Sequence, residues 1–219
     1  HSLDRRQRQM CIRDSSYTFE PSRITAIIGP SGSGKTTILN GLLGMNIPDE
    51  GKISLTKIED SGGSLKYFLN NDVSPRNWLP SVSYVSQHPF FFRGTLRDNL
   101  TFLKQEFRLN EEKVKKLLKS LCLSKELIGD PMTYRLADGG ANLSGGQRQR
   151  LALVRALCVQ RPVLICDEVT SGLDDEMRDK VIGLLQNYAA SGRTVIVVTH
   201  DSEVIKHSDG VLNLKAWEI

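Results

Sequence analysis

The run Gly29-Pro-Ser-Gly-Ser-Gly34-Lys35-Thr36 fits G-x-x-x-x-G-K-[ST], following an apolar β-type run and preceding a helical one, the setting this pattern requires. Its glycines let backbone N–H groups turn inward around phosphate oxygens, and the helix N-terminus adds partial positive charge. Lys35 is placed to bridge β- and γ-phosphate oxygens, and Thr36 to ligate Mg2+ through its hydroxyl. The expected cradle comprises Gly29, Pro30, Ser31, Gly32, Ser33, Gly34, Lys35, Thr36 and Thr37. A second run, Val163-Leu-Ile-Cys-Asp167-Glu168, is an apolar strand ending in two acids. A buried strand tip is a costly place for adjacent carboxylates unless a cation sits there. Asp167 is therefore expected to hold Mg2+, directly or through water, and Glu168 to polarise an attacking water. A third run, Leu143-Ser144-Gly145-Gly146-Gln147, stands just before a helix and offers free N–H groups and a serine hydroxyl to an anion.

The elements that must position these residues alternate. Ile24–Ile28 reads as a strand, Thr36–Leu43 as a helix that Gly44 can stop, and Lys52–Lys57 and Ser81–Val85 as strands. The stretch Ser61–Pro80, with Gly62-Gly63, Asn70-Asn71-Asp72 and two prolines, reads as loop or surface excursion. Capping signals at Asn110-Glu-Glu-Lys precede Val114, Leu117, Leu118 and Leu121, which share one helical face and read as core. A helix over Gln147–Gln160 runs into Pro162, followed by strand Val163–Cys166, a helix near Glu176–Ala189 and strand Thr194–Val198. Such alternation implies an α/β fold with a mostly parallel sheet covered on both faces. The Arg97–Asp138 block reads as helical without strands, an inserted helical subdomain of approximately 97–142.

Composition sets bounds. The chain has 219 residues, 39% hydrophobic and 25% charged, ordinary for a globular domain. No run approaches the roughly 18–20 apolar residues a membrane-spanning helix needs, so a membrane role would come through a partner or another segment. His1–Asp14 shows no apolar period, and Arg5–Asp14 back-translates codon by codon into a common transposon-type sequencing adapter. We read residues 1–14 as such a segment, standing outside the fold, with the native polypeptide extending further upstream. It carries four arginines against two aspartates, so the net charge of +4 becomes +2 without it, too little to argue for nucleic-acid binding. Cys122, Cys158 and Cys166 are isolated in apolar surroundings and form no C-x-x-C pair, which reads as reduced thiols rather than a zinc site or disulfide framework.

The Leu143–Gln147 run matches the signature of the ABC ATPase family, and the chain resembles that family from about Ser16 onward with its motifs in the family's order. The resemblance implies a P-loop NTPase of the ABC ATPase fold, with an inserted helical subdomain and a small antiparallel β part truncated at the N-terminus. By the same resemblance, Gln87 matches the Q-loop glutamine, which senses Mg2+ and nucleotide and couples to a transmembrane partner. Ser171-Gly-Leu-Asp174 matches the D-loop at the dimer seam, and His200 matches the switch histidine that contacts the γ-phosphate. His88 and His207 match no motif. The family pairs two such domains head to tail, each signature closing over the partner's phosphate loop. Departures are Val169 where proline is common, Cys166 where leucine is usual, and Asp138 for a glutamate. The family's adenine-stacking aromatic would fall within residues 1–14, because Tyr17 stands too close to Gly29. Base stacking contributes about 1–3 kcal/mol, so weaker ATP binding is expected.

Gln87-His-Pro-Phe-Phe-Phe-Arg-Gly94-Thr95-Leu-Arg-Asp-Asn99 and Ala137-Asp138-Gly-Gly140 resemble the exporter-type Q-loop region and X-loop. An exporter-type ATPase is implied, its transmembrane domain fused upstream, acting at the cytoplasmic face of the membrane. The alternative is a separately encoded ATPase subunit of an importer or efflux complex. Repair ATPases insert a long coiled coil, for which Gly34 to Leu143 is too short. A ribosomal ATPase would carry two cassettes, and a P-loop kinase would lack the signature.

Overall fold

The computed structural model describes residues 16–48, 50–58, 64–69, 79–101, 109–127 and 129–214. The segment 1–14 and parts of the expected 61–80 loop lie outside the described residues. In chain order the elements are strand β1 (Ile24–Ile28), helix α1 (Lys35–Leu42), strands β2 (Ile53–Ile58), β3 (Ser64–Leu69), β4 (Val82–Val85) and β5 (Gly94–Thr95), then helices α2 (Leu96–Thr101) and α3 (Glu111–Ser120). They continue with β6 (Arg135–Leu136), α4 (Gly145–Val159), β7 (Val163–Asp167), α5 (Asp175–Ala190), β8 (Thr194–Val198), α6 (Ser202–Lys206) and β9 (Gly210–Asn213).

Five strands form one sheet in the order β4-β7-β8-β1-β9, and every neighbouring pair is parallel. A parallel sheet sends the carboxyl ends of its strands to one edge, where α/β proteins place their ligands. The register levels those ends: Val85 pairs with Cys166, Asp167 with Val198, and Ile27 with Val198. Along the strands successive residues serve opposite faces. Ile27, Ile165, Ile196 and Val198 pack with Leu39 and Leu43 of the α1 region, whereas Leu164, Cys166, Val195 and Val197 join a larger core. That larger core includes Leu151, Leu153 and Val154 of α4, and Val114, Leu117, Leu118 and Leu121 of the α3 stripe. Burial on both faces explains why these strands are continuous apolar runs rather than alternating ones.

α3 begins as the sequence predicts: Asn110 accepts a hydrogen bond from Lys113 N, with Glu111 and Glu112 in the first turn. Two expectations need correction. The Ser61–Pro80 stretch, expected as loop or surface excursion without a strand named in it, contains β3, which pairs antiparallel with β2 over Ile53↔Leu69 to Ile58↔Ser64. Turn residues on both sides of a short strand dominate a local reading, and the pairing with the preceding strand β2 reveals it. The block expected to lack strands contains β6, whose Arg135 and Leu136 pair with Thr95 and Gly94 of β5 and tie off the helical excursion at its base.

Candidate nucleotide site

β1 delivers the chain into the glycine loop. A Cβ at Gly29 would stand 2.5 Å from Ser33 Oγ and 2.6 Å from Leu214 O, so this position is reserved for glycine by close approach. Gly34, at φ +90°, turns the chain into α1. α1 starts without a side-chain cap or an acidic residue in its first turn, which leaves its N–H groups and positive end open to an anion. Lys35 folds back over the loop, its Nζ donating to Gly29 O at 2.6 Å and Pro30 O at 2.9 Å. Ser33 is buried while its Oγ has no hydrogen-bond partner, a polar atom inside the cradle that a phosphate oxygen would satisfy. Ser31, Thr36 and Thr37 are exposed at the mouth.

Asp167 ends β7 two strands away, and Glu168 follows it in a left-handed conformation at φ +52°. That conformation is uncommon outside glycine, and it sets the carboxylate at the sheet edge. The turn is fixed by Glu168 N donating to Val198 O at 2.9 Å, with Val169 and Thr170 buried behind it. Val169, where the family commonly has proline, is part of the larger core. Tyr84 of the adjacent β4 donates its hydroxyl to Asp167 Oδ2 at 3.4 Å. Burial pushes the Asp167 carboxyl above its ordinary range, against the Tyr84 hydrogen bond and the charges of Lys35 and His88. Burial likewise raises Glu168, opposed by His200 and Lys35 and reinforced by Asp167. Tyr84 is itself pushed up to about 12, first by burial and then by Asp167.

β8 supplies the facing group. Thr199 is buried, donates its N–H to Ile27 O at 3.2 Å and accepts from Asp201 N at 3.0 Å, while Asp201 caps α6. His200, held between these anchors, turns outward with Nε2 3.6 Å from Glu168 Oε1. Gln87 is exposed on the loop after β4. The glycine loop, Asp167, Glu168, Gln87 and His200 thus all leave strands at one edge of the sheet.

The remaining motifs face elsewhere. Leu143 is buried, and Ser144 caps α4 in a reciprocal box: Ser144 Oγ accepts from Gln147 N at 3.1 Å, and Gln147 Oε1 accepts from Ser144 N at 2.7 Å. The hydroxyl proton of Ser144 stays free to donate. Among the described residues, no hydrogen bond joins Leu143–Gln147 to the glycine loop. Asp174 caps α5 by accepting from Met177 N at 2.8 Å and is exposed. Tyr84 is the neighbour that sequence reasoning missed. Its signal was weak, since only the pairing of β4 with β7 sets it beside Asp167.

The family model for ABC transporters matches residues 12–171 of this chain. Together with the sheet order and the site, this establishes that the chain belongs to the ABC transporter family. Among curated relatives, it is 35% identical over 204 residues to the mycobactin import ATP-binding/permease protein IrtB of Mycolicibacterium thermoresistibile, covering 93% of this chain and 33% of that protein. It is 34% identical over 208 residues to the lactococcin-G-processing and transport ATP-binding protein LagD of Lactococcus lactis subsp. lactis, covering 93% of this chain and 27% of that protein. It is 33% identical over 209 residues to the ATP-dependent lipid A-core flippase of Pasteurella multocida, covering 95% of this chain and 34% of that protein. The chain therefore spans about a third of the length of the curated relatives it matches. A solved bacterial Atm1-family ABC exporter with ATP bound superimposes with a TM-score of 0.72 at 27% identity, covering 90% of this chain and 33% of that one.

Proposed function

We propose that this chain is the ATP-hydrolysing domain of an exporter-type ABC transporter, and that it works as a head-to-tail pair. The observation that carries the reading is the meeting, at one sheet edge, of an uncapped helix N-terminus, Lys35 and the Glu168–His200 pair. Gly29–Thr37 would wrap the phosphates, and Lys35 would trade its two loop carbonyls for phosphate oxygens. Thr36, Asp167 and Gln87 would supply oxygen donors of the kind that suit Mg2+, and a cation there would offset the effect of burial on the Asp167 carboxyl. When bound, Mg2+ would neutralise negative charge on the phosphate oxygens.

Glu168 would accept a hydrogen bond from the attacking water and polarise it, with His200 holding the γ-phosphate end of the site. The exposed Ser144 hydroxyl and the N–H groups of Gly145, Gly146 and Gln147 would complete the partner domain's site, with Asp174 at the seam. The relatives named as ATP-binding/permease proteins support a transmembrane part on the same polypeptide; the ATPase domain (15–219, with its helical subdomain near 97–142) would then act at the cytoplasmic face.

Mg2+-dependent phosphate release by the chain tests the reading. Lys35→Met should lose roughly 10²-fold or more of the activity, the scale of a lost transition-state charge contact. Equal turnover by wild type and variant, or turnover unaffected by chelating Mg2+, would overturn it.

A further inference from the structure

α4 does more than carry the signature at its N-terminus. Farther along, two of its side chains grip the loop after β4 on either side of Gln87. Gln149, buried, donates from Nε2 to Ser86 O at 3.4 Å. Arg155 donates from Nη1 to Phe90 O at 3.0 Å, and its guanidinium lies over the fully buried Phe91 ring, 4.7 Å from the centroid. The loop is thus fastened one residue before Gln87 and three residues after it. A partly buried guanidinium such as that of Arg155 ordinarily finds a carboxylate. Among the described residues, Arg155 has none within ion-pair distance, so its charge is committed to one carbonyl and one ring face.

We propose that Arg155, assisted by Gln149, is a positioning residue for Gln87: it fixes the Ser86–Phe90 loop to the helix whose first turn bears the signature. The inference rests on the reading of Gln87 as a nucleotide-sensing residue given above. Gln87 and Ser144 then move with one rigid helix, so a shift of the signature at the dimer seam reaches the γ-phosphate side of the site without an intervening flexible joint. Arg155 is thus a positioning residue, not a catalytic one. It acts through the placement of Gln87, where a displacement near 1 Å is enough to slow chemistry strongly.

The test is a double-mutant cycle on the chain, with kcat and KM for MgATP measured for Arg155→Met, Gln87→Ala and the double variant. Arg155→Met should lower kcat about tenfold with KM within about twofold. The double variant should be no slower than Gln87→Ala alone to within about twofold, because both changes disable one device. A double variant that loses the product of the two single effects, or an Arg155→Met variant with unchanged kcat, overturns the proposal. Amide hydrogen exchange supplies a readout independent of Gln87 chemistry: Arg155→Met should speed exchange at 86–91 and leave Gly29–Thr36 unchanged. Should Gln87→Ala alone leave turnover intact, the nucleotide reading of Gln87 fails, and unchanged exchange at 86–91 would overturn the tether separately. If Arg155→Met does not fold, Gln149→Leu carries the same cycle and the same exchange measurement, with the same criteria.

Discussion

His200 Nε2 stands 3.6 Å from Glu168 Oε1 across the mouths of two adjacent parallel strands, β8 and β7. The relationship joins a carboxylate held inward at a left-handed turn to an imidazole that faces outward. At that distance the two groups face each other without a direct hydrogen bond, and the exposed imidazole stays available to a ligand.

If Glu168 polarises the attacking water, Glu168→Gln removes the base while preserving shape. Turnover should fall about 10²–10⁴-fold with ATP still bound. Size-exclusion chromatography with MgATP should then show a long-lived dimer. A variant turning over like the parent would remove Glu168 from this role.

Ser144 has an observed duty as helix cap and a proposed one at the partner's site, and the two are separable. Ser144→Ala loses the α4 cap and should lower stability by about 1 kcal/mol as well as activity. Ser144→Asp keeps a good cap but sets a negative charge where the partner's phosphates would approach. Its thermal midpoint should match the parent while dimer-dependent turnover disappears. Full activity in Ser144→Asp would remove the signature from the partner's site.

Asp174 divides the same way. Asp174→Asn retains a competent cap on α5, whereas Asp174→Ala does not, and only the alanine variant should lose about 1 kcal/mol in urea unfolding. A loss of turnover shared by both variants would assign the carboxylate itself to the seam.

The cysteines should react unequally. Burial pushes the Cys158 thiol from its ordinary 9.0 to about 11, against the pull of Lys113, and raises fully buried Cys166 further. At pH 8 about one Cys158 in a thousand is then thiolate, so among these three cysteines iodoacetamide should label half-buried Cys122 first and the other two only on unfolding. The folded chain holds the Cys158 proton more tightly than the unfolded chain. Its contribution to stability is therefore intact below pH 9 and declines as pH rises from 9 through about 11. Rapid labelling of Cys158 in the folded chain would contradict this.

Gly29→Ala should destabilise by about 1–3 kcal/mol, since the new methyl meets a backbone carbonyl that cannot swing aside. Thermal unfolding compared with Gly32→Ala, which meets nothing within 4 Å but retains the strain of φ +82°, separates collision from backbone strain.

Much of this was legible locally. A loop of glycines between an apolar strand and a helix, two acids at a strand tip and a serine before a helix are short-range patterns, because each depends on residues within one turn or one strand. The strands β1, β7 and β8 were likewise visible as apolar runs, since burial on both faces removes the alternation that a half-exposed strand would show. β3 and β6 were hidden because pairing, rather than local composition, defines them: β3 pairs with the preceding strand β2, and two-residue β6 with β5 far upstream.

The sequence by itself determined the chemistry on offer: which groups could meet phosphate, metal and water, and in what order along the chain. Tertiary structure alone decided their company. The parallel order β4-β7-β8-β1-β9 brings Gly29, Gln87, Asp167, Glu168 and His200 to one edge although they span more than 170 positions. It also sets Tyr84 against Asp167, and the packing of α4 sets Arg155 against Phe90, pairs that no local spacing encodes. The reason is physical: hydrogen-bonded register and the burial of both sheet faces are collective properties, fixed only when the whole core closes.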